Sequence, residues 1–303
     1  MSADRFADLP DGIRLCHRTR GESDGAPLVL VSGLACDLTW WPEALLDGLA
    51  DRGFRVVHFD NRDCGRSATV DATPPSTWRQ LLARPRSDAY TLADMAEDTV
   101  GLMDHLGIEQ AHLVGGSMGG MIAQTVAATH PQRVRTLTSM LSTTGATKIG
   151  QPARSTLWKL LKPPAGTRQE SVARHLAMVR HLAGTAFPVD EATETALAEG
   201  VWDRAGGAEA GPRNARQIQA IQASGDRTAQ LRRITAPTLV VHGDRDLIVH
   251  PSGGRATAQA IPGARHVTVP GMGHHFAAGA VPHLVDLITQ HTQHASAEQG
   301  AQS

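Results

Sequence analysis

The sequence predicts an α/β fold in which a mostly parallel, twisted sheet flanked by helices carries an inserted helical cap. Strand-like apolar runs alternate with helical stretches over residues 1–144 and again over 233–294. Such alternation is typical of a parallel sheet with crossover helices. Between these parts, over 145–232, the segments are helical and no convincing strand separates them. We therefore expect a core formed by 1–144 and 233–294, a cap formed by 145–232, and a polar, disordered tail at 295–303.

The first part of the core contains five strand-like runs and three helical stretches. Pro42 suits the first turn of a helix, Thr91 can cap the N-terminus of another, and Gly107 ends that helix. The proline-containing stretch 71–89 is predicted to be irregular. The strands are predicted at Gly12–Arg18, Pro27–Val31, Phe54–Asp60, Ala111–Val114 and Val134–Leu141, and the helices at Pro42–Arg52, Thr91–Leu106 and Gly119–Thr129.

The cap and the second part of the core are predicted from the same patterns. The cap helices are expected at Ser155–Leu161, Gln169–Leu182, Glu191–Asp203 and Arg213–Ser224. The core then resumes with strands at Thr238–His242 and His266–Val269 and helices at Gly253–Ala260 and Val281–Thr292.

Composition excludes several classes of function. The chain has 303 residues, 41% of them hydrophobic, and a formal net charge of −1, so it presents no charged field for nucleic acid or an anionic membrane. Met1–Pro10 has no apolar run typical of a signal peptide, and no stretch is long and apolar enough to span a bilayer. The three cysteines show no CxxC pairing, which favours reduced thiols and a cytoplasmic location.

Histidine is abundant, but its spacing does not predict a metal site. The chain has 15 histidines and no HExxH pattern, and His274 and His275 are adjacent rather than one helical turn apart. We expect neither a metal nor a cofactor.

The strongest functional signal is the glycine-rich run Gly115–Gly120, which contains a G-x-S-x-G pattern centred on Ser117. It lies between a buried strand and a helix, as a nucleophile elbow requires. A Cβ at Gly115 or Gly119 would collide with neighbouring backbone in so sharp a turn, and the serine is held in a strained conformation. The pattern therefore predicts that Ser117 is a catalytic nucleophile.

A nucleophilic serine needs a base, and His274 is the favoured candidate. It ends the run Gly271–His274, just after the last predicted strand, where glycines allow a loop to fold back over the sheet edge. His275 is a direct competitor. A histidine in such a loop can also be an ordinary surface residue.

The base needs an orienting carboxylate, and Asp246 is the favoured candidate. It follows the strand Thr238–His242 in the run Gly243–Asp246, and functional groups in open α/β sheets lie at the carboxyl ends of strands. Asp244 is the alternative, although a role in capping the turn explains it. The chain order of serine, aspartate and histidine is the order expected for this arrangement.

An oxyanion hole would complete the site. One donor is expected from the backbone N–H of Met118, which follows the nucleophile. The second is expected from the loop after Pro27–Val31, and we assign it to the backbone N–H of Leu34. Each donor of this kind typically contributes about 3 kcal/mol to transition-state stabilisation.

These motifs together resemble the α/β-hydrolase superfamily. Gly115–Gly120, Gly243–Asp246 and Gly271–His274 carry the resemblance for the core as a whole. More narrowly, Trp41-Pro42 and Phe59–Ser67 resemble a group of bacterial esterases that includes aclacinomycin methylesterase. The resemblance implies ester hydrolysis by a Ser-Asp-His triad, with the substrate held beneath a helical cap.

One position departs from the superfamily pattern. Many members carry His-Gly where this chain has Ser32-Gly33. Since the oxyanion donor is a backbone group, the change is compatible with function, but it leaves open which groups anchor the loop.

Two further clusters have alternative interpretations. Asp60, Arg62 and Asp63 either form a buried network that braces the oxyanion loop or are ordinary polar residues of a turn. Trp40 and Trp41 either line the pocket or belong to the core, and an aromatic pair beside a strand end is more often core.

The predicted function is hydrolysis of small, uncharged and fairly hydrophobic esters through an acyl-enzyme formed on Ser117. A cofactor-free perhydrolase, like the haloperoxidase-related enzymes, and a carbon–carbon bond hydrolase would use the same three residues. A small-molecule receptor on a hydrolase fold is the non-enzymatic alternative. Enzymes of similar fold that use an aspartate nucleophile are disfavoured by Ser117.

Overall fold

An eight-stranded sheet forms the centre of the protein in the computed structural model, which describes residues 3–160, 165–207 and 210–300, with side chains up to 295. The strand order is β1-β2-β4-β3-β5-β6-β7-β8. The strands are β1 (Arg5–Asp8), β2 (Arg14–Arg20), β3 (Ala26–Val31), β4 (Phe54–Phe59), β5 (Ala111–Gly116), β6 (Val134–Met140), β7 (Thr238–Gly243) and β8 (Arg265–Val269).

Strand direction follows the pattern of burial. β2 pairs antiparallel with both β1 and β4, whereas the pairs from β4 to β8 are all parallel. Every residue of β5 and β7 is buried, because a parallel sheet is covered by helices on both faces. The carboxyl ends of these central strands therefore meet at one edge of the sheet.

Helices cover the two faces of the sheet, and alternate residues of a strand pack against the helices on opposite faces. Leu28 and Leu30 of β3 face one apolar cluster, and Val29 and Val31 face the other. The helices are α1 (Glu43–Ala50), α2 (Thr77–Leu81), α3 (Leu92–His105), α4 (Met118–Thr129), α5 (Arg154–Leu160), α6 (Arg168–Leu182), α7 (Glu191–Arg204), α8 (Ala210–Ser224), α9 (Thr228–Leu231), α10 (Ser252–Ala260) and α11 (Val281–Gly300). Side chains of α1 and α11 lie in the cluster with Leu28, and those of α3 and α4 in the cluster with Val29.

The helices α5 to α8 form an inserted segment between β6 and β7. Its two ends meet at Gly145 and Gly225, since a Cβ on Gly145, which has a φ of +81°, would lie 2.2 Å from the carbonyl oxygen of Gly225. This contact lies at the start of the cap that we propose to span 145–232, and seven residues before its proposed end. Within the described ranges, no helix is long and apolar enough to cross a membrane.

The structure differs from the predicted elements at β1, α2, the last helix and α9, a short helix that is not predicted. β1 is not predicted, because Ala7 is its one buried residue and the pattern is weak. α2 lies within the stretch 71–89 that is predicted to be irregular, where Ser76 caps a helix with no buried residue. The last helix continues to Gly300, through most of the predicted disordered tail; residues 301–303 of that tail lie outside the described residues.

We expect the free energy of unfolding to fall as the pH is lowered from about 6.5 towards about 4. Burial lowers the pKa of His17, His58 and His112 to about 4. In this window the unfolded chain binds protons that the folded chain does not, so acidification favours unfolding. Burial raises the pKa of Asp60 to about 6 and also raises the pKa of Asp98, and these two carboxyls oppose the trend.

Denaturant titrations across this pH range measure the effect. Replacing His58 by Gln removes one buried titrating group and should flatten the pH dependence. An equally steep dependence in His58→Gln would contradict the explanation.

Candidate active site

Ser117 lies between the last residue of β5 and the first residue of α4. Its φ is 56° and its ψ is −120°, a left-handed φ that a residue with a side chain rarely adopts. Its N–H donates to the carbonyl oxygen of Met140 at 2.9 Å, and its own carbonyl oxygen accepts from Ser142 Oγ at 2.8 Å. These bonds hold the strained turn that projects the serine from the sheet edge.

The glycines of this turn are required by close backbone contacts. A Cβ on Gly115 would lie 2.2 Å from the carbonyl oxygen of Gly119, and one on Gly119 would lie 1.9 Å from that of Val31. The turn thus packs directly on β3. On the other side, a Cβ on Gly33 would lie 3.3 Å from Cβ of Ser117, so the loop after β3 passes against the serine.

His274 and Asp246 are in direct contact. Nδ1 of His274 donates to Oδ2 of Asp246 at 2.6 Å, and 9% of His274 and 2% of Asp246 are exposed. The other carboxylate oxygen accepts from the N–H groups of Ile248 and Val249 at 2.9 Å. The remaining imidazole nitrogen of His274, Nε2, is the one that can exchange a proton with another group.

The carboxylate of Asp246 is held in its charged form. Burial alone would raise the pKa of Asp246. The charge of His274 and the hydrogen bonds from His242 and His274 lower it by more than burial raises it, so the pKa lies well below its usual range. Nε2 of His242 lies 3.3 Å from Oδ2 of Asp246. Asp246 is therefore a buried anion facing two imidazoles.

The two alternative residues have other partners. Oδ1 of the exposed Asp244 accepts from the N–H of Gly271 at 2.6 Å, which ties the loop after β7 to the loop after β8. Nε2 of His275 lies 3.3 Å from Oε1 of Glu194 in α7. The structure thus brings Asp246 and His274 together and places Asp244 and His275 in contacts between segments.

The serine and the histidine loop lie at the same edge of the sheet. β5, β7 and β8 run parallel, so the segments that follow them share that edge. A Cβ on Gly116, beside the serine, would lie 2.7 Å from the ring of Trp40 and 3.4 Å from that of Phe276, two residues beyond His274.

The tryptophan pair divides between the core and the site. Trp41 is 1% exposed, belongs to the apolar core, and stacks on Phe276 with ring centroids 5.4 Å apart. Trp40 is half-buried and packs against both Phe276 and the turn of the serine. Trp40 is therefore the member of the pair that borders the site.

The two expected oxyanion donors belong to the serine turn and to the loop that passes against it. Met118 is the first residue of α4, where backbone N–H groups have no partner within the helix. Leu34 lies in the half-buried loop that Gly33 brings against Ser117. In that loop, the carbonyl oxygen of Ser32 accepts from Asn61 Nδ2 at 3.0 Å.

Asp60, Arg62 and Asp63 form buried ion pairs rather than a solvated turn. Oδ1 of Asp60 accepts from the N–H of Leu38 at 2.6 Å, which braces the far end of the oxyanion loop. Arg62 makes two hydrogen bonds to Asp98 in α3, at 2.5 and 2.6 Å. Both carboxylate oxygens of Asp63 pair with Arg216, one of them at 2.9 Å. Of the three, Asp60 contacts the loop directly.

Cap residues that the sequence analysis did not single out hold the cap on the core. Arg204 of α7, whose side chain is 8% exposed, bonds Asp4, Asp37 and Asp60 at 2.8, 2.9 and 2.7 Å. Arg227 donates to Gln124 Oε1 at 2.8 Å and to two carbonyl oxygens of the core. An arginine is usually on the protein surface, so only the tertiary structure reveals these contacts.

The cap also binds the histidine loop through its main chain. The N–H groups of His274 and Gly273 donate to the carbonyl oxygens of Leu182 and Ala183 at 2.8 and 3.1 Å. In the other direction, the N–H groups of Thr185 and Ala186 donate to the carbonyl oxygen of Gly271 at 2.7 and 3.1 Å. A Cβ on Gly273 would lie 1.8 Å from the Leu182 carbonyl oxygen, so this glycine is required by the cap contact.

Two further buried histidines have structural partners. Nδ1 of His112 lies 2.9 Å from Thr136 Oγ1, and Nε2 of His291 lies 3.1 Å from the carbonyl oxygen of Pro237. Among the residues that the structure describes, no group of three or more His, Cys, Asp or Glu side chains is placed to hold a metal ion.

The fold and the sequence both define the class of protein. Residues 26–278 match the family model described as the alpha/beta hydrolase fold. The chain belongs to the α/β-hydrolase family, as its three motifs predict.

Individual relatives narrow the comparison. The chain is 30% identical over 312 residues to rhodomycin D methylesterase DauP of Streptomyces sp. (strain C5), covering 94% of this chain and 97% of that one. It is also 30% identical to rhodomycin D methylesterase DnrP of Streptomyces peucetius, with the same coverage of each chain. The fold is shared with the enol-lactonase from Burkholderia xenovorans LB400, with a TM-score of 0.72, 24% identity, and coverage of 95% and 100% of the two chains. The predicted resemblance to bacterial methylesterases is thus confirmed.

Proposed function

We propose that this protein is a serine esterase with Ser117 as nucleophile, His274 as general base and Asp246 as the carboxylate that orients the base. The observation that carries the proposal is the buried 2.6 Å contact between His274 and Asp246 at the sheet edge where Ser117 projects. The similarity over nearly the whole length to two methylesterases supports the same reaction class.

The hydrogen bond to Asp246 sets the tautomer of the base. Because Nδ1 of His274 carries the hydrogen that is donated to Asp246, the lone pair is on Nε2, where it takes the proton of Ser117 as the hydroxyl attacks the ester carbonyl. The low pKa of Asp246 keeps that carboxylate charged at neutral pH. It therefore stabilises the imidazolium that forms.

The negative charge on the attacked oxygen is stabilised by backbone donors. We assign this role to the N–H groups of Met118, which follows Ser117, and of Leu34, in the loop that Gly33 brings against Ser117. Collapse of the tetrahedral intermediate releases the alcohol, which takes its proton from His274. A water molecule, activated by the same histidine, then frees the acid from Ser117. The chemistry needs neither a metal nor a cofactor.

The proposed substrate is a small, uncharged, fairly hydrophobic ester bound beneath the cap. Two relatives are rhodomycin D methylesterases, and a methyl ester fits this class. The net charge of −1 offers no attraction for nucleic acid or an anionic membrane. We keep a cytoplasmic location, inferred from the cysteines, as part of the proposal.

A substrate panel tests the reaction class. We expect turnover of methyl and p-nitrophenyl esters, with less activity on vinylogous diketones and on peracid formation from a carboxylic acid and hydrogen peroxide. Faster cleavage of diketones would assign a carbon–carbon bond hydrolase, and faster peracid formation a perhydrolase. Saturable binding of an ester without any turnover would assign a receptor.

A further inference from the structure

Gln217 of the cap contacts the loop that carries the proposed oxyanion donor. Its side chain is 0% exposed. Oε1 accepts from the N–H of Ala35 at 2.9 Å, and Nε2 donates to the carbonyl oxygen of Arg62 at 2.9 Å. Both ends of a buried amide are therefore paired, one of them on the residue directly after Leu34.

The backbone at Ala35 depends on such a partner. Ala35 has a φ of 58°, in the left-handed region, which costs on the order of 1 kcal/mol or more for a residue with a Cβ. A conformation of this kind persists only where the surroundings hold it. The N–H of Ala35 belongs to the peptide that joins Leu34 to Ala35. A rotation of this peptide would change the backbone at Leu34 and so move the Leu34 N–H.

The remaining anchors of the loop lie at its two ends. On the core side, Asn61 holds the carbonyl oxygen of Ser32, and Asp60 holds the N–H of Leu38. Between Gly33 and Cys36, the backbone N–H groups of the loop receive one side-chain hydrogen bond from the residues that the structure describes. That bond is made by Gln217, at the centre of the loop. The bonds from Asn61, Asp60 and Gln217 are therefore the ones that anchor this loop, which has serine in place of histidine at residue 32.

We propose that Gln217 is a positioning residue for the oxyanion hole, so that the cap takes part in forming the site as well as covering it. This inference rests on the proposed esterase function. It places a cap side chain in control of the transition-state contact at Leu34, through Ala35. A donor displaced by about 1 Å can cost about a hundredfold in rate.

The test compares an ester with its thiono analogue, in which sulfur replaces the carbonyl oxygen. Sulfur is a weak acceptor, so an enzyme with an intact oxyanion hole prefers the oxygen ester. In Gln217→Leu we expect kcat for a p-nitrophenyl ester to fall about 10- to 100-fold with KM little changed. The ratio of oxygen-ester to thionoester kcat/KM should fall about tenfold as well.

Matched variants separate positioning from general destabilisation. Gln222 lies in the same helix and donates to the carbonyl oxygen of Gln80 at 2.8 Å, so Gln222→Leu should leave the ratio unchanged. Gln217→Glu keeps an acceptor for Ala35 and should retain more of the ratio than Gln217→Leu. Gln217→Asn shortens the side chain with little change in polarity and should lower the ratio even if the leucine variant does not fold.

The outcomes are distinct. A folded Gln217→Leu or Gln217→Asn variant with the wild-type ratio would overturn the inference, as would an equal change in Gln222→Leu. Absence of ester turnover in the wild-type protein would instead refute the proposed function, and the inference with it.

Discussion

Replacing Ser117 by alanine should lower kcat for ester hydrolysis about a million-fold, leaving only the residual rate enhancement that substrate binding and the oxyanion hole provide. The hydroxyl is the group that forms the acyl-enzyme, and His274 has no other nucleophile to activate at this turn. The fold should be unaffected, because the bonds that hold the turn are made by backbone atoms of the residue. Initial rates with a p-nitrophenyl ester and circular dichroism measure the two effects.

Covalent labelling provides the control for this variant. A phosphonate probe should modify Ser117 in the wild-type protein and no serine in Ser117→Ala. Ser76→Ala is a matched substitution, since Ser76 caps α2 far along the chain from the turn, and it should be labelled and active like the wild type. Label on another serine, or substantial activity in Ser117→Ala, would show that Ser117 is not the nucleophile.

Replacing Asp246 by asparagine should lower kcat about ten-thousand-fold. The amide would present a donor to Nδ1 of His274, so the imidazole would carry its hydrogen on Nε2 and could not accept the serine proton. The charge that stabilises the imidazolium would be lost at the same time. Steady-state kinetics and a melting curve should show a large loss of turnover with little change in melting temperature.

The adjacent carboxylate gives the matched comparison. Asp244→Asn keeps an oxygen that can accept from the N–H of Gly271, so its main effect should be a loss of stability of at most about 1 kcal/mol. Rates should stay within a small factor of the wild type. The opposite result, with Asp244 essential for turnover and Asp246 dispensable, would show that Asp244, and not Asp246, orients His274.

Much of the fold follows from local patterns in the sequence. Most strands from β3 to β8 are largely apolar runs of five to seven residues, and some of the helices between them have clear caps, such as Thr91 of α3. β1 was not predictable in this way, because it is an edge strand with one buried residue. The extension of α11 was also missed, since its polar sequence resembles a tail.

The candidate site divides in the same way. Ser117, Asp246 and His274 stand in short motifs whose glycines have a local explanation, so the sequence alone is enough to propose them. Arg204 and Gln217 lie in cap helices with no motif around them. Their importance comes from partners between 144 and 200 residues away along the chain, which composition and periodicity do not encode.

The main-chain bonds between the end of α6 and the histidine loop bear on how this family can diversify. Backbone hydrogen bonds make no demand on side-chain identity beyond glycine at the crowded positions, here Gly184 and Gly273. Cap helices can therefore exchange most of their side chains, and with them the surface that would contact a substrate beneath the cap. The main-chain bonds would still hold His274 in place. A chimera that transplants a foreign cap should join it outside residues 182–186, so that this junction is inherited intact.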